Sequence, residues 1–182
     1  MLDMTFHALE EMYADKDRVL QAIENTVRPL SPAQLSFRPA PDAWSVQEIV
    51  EHLAIVEPNM FKVVGALTDK AEAAGGSAAS GFEATLDDGI RTRSTGKVKT
   101  RPESVPTGRI PAEESLKTLR SIQSQLRTLR PRLAGVDASS VKFPHRALGD
   151  MTLGQWCAFI GAHEARHLAQ MQDVLASPGF PS

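Results

Sequence analysis

Residues 152–175 read TLGQWCAFIGAHEARHLAQMQDVL, and a single stripe runs through them. Leu153, Trp156, Ile160, His163, His167, then Gln170 or Met171, and Val174 recur at gaps of three and four. Such gaps return to one face of an α-helix. Thr152 with Gln155 three residues on is a capping box that starts the helix, and Pro178 closes it. Two histidines thus occupy positions on a stripe that is otherwise largely apolar. A helix with such a stripe buries it against other helices, so the rest of the chain must supply them.

Three further stripes do so. From about Asp3 to Thr26, Leu2, Phe6, Leu9, Tyr13, Leu20, Ile23 and Val27 follow the same period, and Pro29 and Pro32 end it. After a Pro-rich stretch from Arg28 to Ala43, Trp44-Ser45 opens a second helix, with Ser45 and Glu48 as its capping box. Val46, Ile49, Val50, Leu53, Val56, Met60, Val64 and Leu67 form its apolar face, and Pro58 marks a place for a kink. A third helix spans about Ala112 to Leu133 on Leu116, Leu119, Ile122, Leu126, Leu129 and Leu133, with Gly135 just past its end. No helical period survives from about Gly75 to Pro111, a connection long enough to hide short strands or turns. No internal repeat and no strand pattern of any strength stands out. The expectation is an all-α four-helix bundle in one domain, 1–182, with a long crossover between helices 2 and 3.

Composition narrows the function classes. The 182 residues carry a net charge of −2, so neither nucleic acid nor an anionic membrane is an expected partner. No apolar run approaches the roughly 20 residues of a membrane span. The acidic N-terminal stretch lacks the basic start and apolar core of a signal peptide. One cysteine, Cys157, excludes an internal disulfide and fits a reducing cytoplasm, which is the expected location.

Residues four apart on a helix project together, with Cβ atoms roughly 6 Å apart, so His163 and His167 can chelate one ion. Unpaired imidazoles in a core would cost about 1–3 kcal/mol per unsatisfied group. A metal removes that cost, and the outer ring nitrogens then need acceptors of their own. His52 is the natural third ligand, at Ile49 + 3 and Val56 − 4 on or beside the second helix's apolar face. The sequence alone leaves open whether the bundle brings His52 to the pair. Histidines satisfied by core hydrogen bonds are the alternative. His7 reads as exposed, His145 as a loop residue and Cys157 as a packing thiol. Glu48 is explained by its cap as well as by a role behind His52.

His163-Glu164-Ala165-Arg166-His167 also matches the H-E-x-x-H pattern of zinc proteases. That reading needs a third ligand downstream, and only 15 residues follow His167. Gln170 and Asp173 stand where a longer protease pattern needs Gly and His, and no glutamate follows Glu164. The protease reading is rejected.

The chain resembles the DinB-like, or YfiT-like, metalloenzymes over nearly its whole length. The resemblance is carried by Trp44 through Leu53, by Leu148-Gly149 with Thr152 through Trp156, and by His163 through Gln170. It implies an up-down-down-up bundle and His52, His163 and His167 as metal ligands. Characterised members include S-transferases and isomerases that use low-molecular-weight thiols, and members are often homodimers. The implied function is a metal-dependent enzyme on a small molecule, an S-transferase or a hydrolase. Its cofactor would be a divalent ion, zinc or nickel first among those that imidazole suits. No catalytic acid or base stands out; Arg166 lies off the histidine face. The competing reading is a bundle that binds metal or a small ligand without catalysis.

Overall fold

Each apolar stripe becomes a helix, with ends set by contacts the stripes do not encode. The computed structural model describes residues 3–75, 82–92 and 100–182. In chain order its elements are β1 (Asp3–Phe6), α1 (Leu9–Val27), α2 (Pro32–Ser36), α3 (Val46–Ala73), β2 (Ala84–Asp87), α4 (Gly89–Thr92), a 3-10 turn (Pro102–Ser104), α5 (Ala112–Ala134), β3 (Lys142–His145), β4 (Gly149–Thr152) and α6 (Leu153–Leu175). The four long helices, α1, α3, α5 and α6, are the bundle. No helix among the described residues is long and apolar enough to cross a membrane.

Capping boxes start α3 and α6 as expected. Ser45 Oγ accepts the Glu48 N–H and Thr152 Oγ1 accepts the Gln155 N–H, while the Glu48 and Gln155 side chains accept from the cap residues. Each cap contributes about 1 kcal/mol relative to alanine. α3 runs on through Pro58 to Ala73.

One expectation is corrected. The first helix begins at Leu9, not near Asp3. Residues Asp3–Phe6 are extended and pair antiparallel with Ala84–Asp87, from Asp3 opposite Asp87 to Phe6 opposite Ala84. A partner some 80 residues away overrides the local helical period there. Strands also occur where no strand pattern stands out in the sequence, one of them in the connection that was long enough to hide it. The 75–111 connection contains β2, and β3 and β4 form a hairpin that leads into α6. Gly154 is needed where that hairpin ends, because a Cβ there would stand 2.9 Å from the Glu83 carbonyl oxygen.

Side-chain pairs give the helix directions. Glu10 pairs with Arg130 and Glu24 with Arg120, so α1 and α5 run in opposite directions. Asp69 and Glu72 meet Arg132 near the ends of α3 and α5, while Val46 and Ile49 share an apolar cluster with Ala112 and Leu116 near their starts.

The core falls into two apolar clusters. One includes Leu9, Met12, Tyr13, Met60, Leu67, Leu126, Leu153 and Ala162. The other includes Val19, Ile23, Ile49, Leu53, Leu116, Leu119, Met171 and Val174. The division falls between Tyr13 and Val19 on α1, Leu53 and Met60 on α3, and Ala162 and Met171 on α6. Lys16, Glu57, His163, Glu164 and His167 lie inside those intervals and His52 borders one. A polar layer therefore crosses the bundle between two apolar halves.

Candidate metal centre

α3 delivers His52 to this layer, and α6 delivers His163 and His167 one turn apart. One ring nitrogen of each lies within 4.8 Å of the other two. Ring centroids are 4.5 Å apart for His163 and His167, 4.8 Å for His52 and His167, and 5.6 Å for His52 and His163. The Nε2 atoms of His163 and His167 are 3.2 Å apart. Two nitrogens each about 2.0–2.1 Å from a tetrahedral ion stand about 3.3 Å apart. The pair is therefore spaced as a chelate needs. His52 and His167 are buried and His163 is partly exposed.

The outer nitrogens orient the rings. His52 Nδ1 is 2.7 Å from the Ser104 carbonyl oxygen. A carbonyl only accepts, so Nδ1 carries the proton and Nε2 keeps a lone pair for the site. His167 Nδ1 is 3.0 Å from Gln170 Oε1 and donates to it in the same way. Among the described residues His163 Nδ1 is buried with no hydrogen-bond partner, so acceptors stand behind two rings of the three. Burial lowers the pKa of His52, against a raising effect from the Ser104 bond. Burial also pushes His163 well below the ordinary value, assisted by His167, His52 and Arg166. Three converging imidazole nitrogens are the donor set that a borderline divalent cation takes.

The other candidates separate cleanly. Glu48 caps α3 and forms a two-pronged pair with Arg38, one bond of which is 2.9 Å. It is therefore engaged away from His52. His7 is exposed and its imidazole stands 3.6 Å from the Glu83 carboxylate. Cys157 is a buried packing thiol whose pKa burial raises to about 12. His145 departs from its sequence reading as a loop residue. It closes β3, and its ring packs 4.8 Å from Phe159 and 5.5 Å from Trp156. Phe159 in turn lies 5.8 Å from His163, so an aromatic wall joins the hairpin to the histidines. A turn that folds back over the first turns of α6 places His145 there, and helical spacing carries no signal of it.

Glu164 settles the protease pattern on geometry. One residue on from His163, it turns into the core and accepts from Lys16 Nζ at 2.7 Å. Lys16 Nζ also lies 3.6 Å from Glu57 Oε2. All three residues are buried. Burial pushes the Glu57 carboxyl well up and Glu164 adds to the rise, against Lys16. The two glutamates raise the Lys16 pKa against the opposing effect of burial. Sequence reasoning does not single out this cluster, because a charged residue on a helix is ordinarily solvated.

Comparisons with known proteins agree with this architecture. The chain is 24% identical over 150 residues to the uncharacterized protein YuaE of Bacillus subtilis (strain 168), covering 82% of this chain and 88% of that one. Among solved structures it superposes on YfiT from Bacillus subtilis with a TM-score of 0.60 at 16% identity, covering 94% of this chain and 88% of that one. YfiT is described as a probable metal-dependent hydrolase with an unusual four-helix bundle topology. TT2238, a four-helix bundle protein, matches with a TM-score of 0.58 at 20% identity over 90% of this chain and 98% of that one. At these identities the structural matches speak for the four-helix fold. The model of the DinB superfamily matches residues 16–171, a span that holds all three clustered histidines, and the chain belongs to that superfamily.

Proposed function

We propose that His52, His163 and His167 hold one divalent metal ion, zinc or nickel, and that the protein is a metal-dependent enzyme acting on a small molecule. The observation that carries this reading is the convergence of three ring nitrogens within 4.8 Å, two of the rings oriented by acceptors behind them. Three protein ligands leave a coordination position open, the mark of a reactive rather than a structural ion. When bound, such an ion lowers the pKa of a thiol or water and supplies a nucleophile at neutral pH. The description of YfiT as a probable metal-dependent hydrolase supports the same class.

The reaction we favour within that class is thiol-dependent S-transfer. Glu48, Glu51 and Glu164, the glutamates nearest the ligands in sequence, are held by Arg38, by Thr107 and Gly108, and by Lys16. A low-molecular-weight thiol brings its own ionisable nucleophile and asks little of a protein base. Hydrolysis asks for a positioned proton acceptor.

Plasma mass spectrometry tests the site. The protein should take up one nickel or zinc per chain, and His163→Ala should take up none. Equal metal content in both would end this reading. Loaded protein should then accelerate substitution of an alkyl halide by a small thiol, which forms a thioether and releases halide and a proton, more than hydrolysis of an activated ester. The reverse order would assign it to the hydrolases.

A further inference from the structure

The residue before His52 does something its position on α3 does not announce. Glu51 is fully buried. Its carboxylate accepts three hydrogen bonds from a segment of the crossover more than 50 residues away. Glu51 Oε1 takes the Thr107 N–H at 2.9 Å and the Thr107 hydroxyl at 2.8 Å, and Oε2 takes the Gly108 N–H at 2.7 Å. Gln47, one turn earlier, donates from Nε2 to the Gly108 carbonyl at 2.8 Å. Gly108 has φ +71°, a conformation that favours glycine, and its Cα side faces Glu48. Pro106, just before these anchors, is buried. The segment is thus fastened at 107–108, and its preceding turn, Pro102–Ser104, presents the Ser104 carbonyl to His52 Nδ1 at 2.7 Å.

We propose that Glu51 is a positioning residue for the histidine site, clamping residues 104–108 onto α3 so that the Ser104 carbonyl holds the His52 ring with its proton on Nδ1 and its lone pair on Nε2. Adjacent residues on a helix point about 100° apart, so one helix turn cannot use both Glu51 and His52 for the same contact. The crossover bridges them: it is gripped by one and orients the other. A carboxylate suits the grip where an amide does not. All three contacts come from donors, and the NH2 of a glutamine would turn a donor against either Thr107 or Gly108. The consequence for metal uptake rests on the three-histidine reading above. The consequence for the His52 ring does not.

The full-length protein labelled with nitrogen-15 at histidine provides the first readout. In the metal-free parent, long-range proton–nitrogen spectra should show His52 in one form, protonated at Nδ1. In Glu51→Gln both ring forms should appear. The second readout is titration with Ni2+ alone. Loss of a group that orients a ligand weakens metal affinity by about 10–100-fold, and Glu51→Gln should fall in that range. Thr107→Val, which removes one contact of three, should fall less. A folded Glu51→Gln whose His52 remains in the parent's single form would overturn the proposal, whatever its metal affinity. So would Ni2+ affinity within twofold of a parent that does bind Ni2+. Should circular dichroism show that Glu51→Gln does not fold, Thr107→Val combined with Gln47→Ala loosens the clamp from the other side, and the same two outcomes apply. If the parent takes up no Ni2+, the spectra decide alone. A locked ring that the variant frees then keeps the positioning role and removes the metal reading.

Discussion

Two polar clusters share the layer between the apolar halves of this bundle, and α3 and α6 contribute to both. His52, His163 and His167 bring ring nitrogens to one point. Five residues along α3 and one along α6, Glu57 and Glu164 face Lys16 from α1. The second cluster carries its own cation on the chain. The first offers three ring nitrogens in the same low-dielectric interior. Burial acts on both in the same way, against charge, and the outcomes diverge because of what each is given. The carboxylates keep a lysine charged and share the remaining imbalance through a raised Glu57. Burial lowers the pKa of His52 and His163, and the converging ring nitrogens stand available to an ion from outside. A buried polar cluster is thus not by itself a site. The test is whether its chemistry is already completed from within.

Lys16→Met strikes this contrast hardest. It leaves Glu57 and Glu164 buried without their cation, and removal of one partner from a buried pair costs about 3–5 kcal/mol. Urea unfolding should show that loss, while metal content per folded chain stays near the parent's. Metal lost in step with Lys16 would merge the two clusters into one site and break the comparison.

The histidine side has the converse signature. A ligand that binds only the native state stabilises it by about 2.7 kcal/mol at a hundredfold excess over Kd. Ni2+ should therefore raise the unfolding midpoint of the parent and leave His163→Ala unmoved. A midpoint that rises equally in both would show binding elsewhere.

pH separates the clusters by sign. Glu57 is raised above its ordinary value of 4.5. Above 4.5 the native chain therefore holds a proton that the unfolded chain has released. Its stabilisation is complete below that pH and is lost as pH rises through the folded value. His52 and His163 are lowered from 6.5, so they act oppositely. Their contribution is complete above 6.5 and is lost as pH falls toward their folded values. Glu57→Gln mimics the protonated acid, including a donor for Glu164, and removes only the first effect. Its stability relative to the parent should climb between pH 5 and 8, by up to about 1.4 kcal/mol per unit. A difference that stays flat across that range would mean Glu57 is ionised in the native protein throughout.

The His163/His167 pair was legible because it lies on a periodic stripe, and His52 joined it through the family resemblance. His163 and His167 replace apolar residues at helical spacing, and the capping boxes at Ser45 and Thr152 locate both helices in the sequence. The Lys16 cluster was not legible, since a charged residue on a helix is ordinarily solvated and only its neighbours in space reveal otherwise. The same holds for Glu51, whose partners lie across the crossover, and for His145, which the β3–β4 hairpin carries to Phe159. The β1 strand was misread as helix because pairing with Ala84–Asp87 is decided by residues far away in the chain. Periodicity reports the surfaces that helices bury against each other. It is silent about contacts that loops bring in.

Gln170 offers the finest test, because it belongs to the stripe and yet acts as a polar group. It lies three residues past His167 on α6, and its Oε1 accepts from His167 Nδ1 at 3.0 Å. It is only partly buried, so its removal leaves no sealed cavity and little change in folding stability. Removing an acceptor behind a ligand weakens metal binding by about 10–100-fold. Water can reach a partly exposed position and replace the lost acceptor, which places Gln170→Ala at the lower end, near tenfold or about 1.4 kcal/mol. Isothermal titration with Ni2+ measures it. His163 Nδ1, buried with no partner among the described residues, sets the opposite limit: no acceptor stands behind that ring. Affinity unchanged in Gln170→Ala would mean that the Gln170 bond does not aim His167 at the ion.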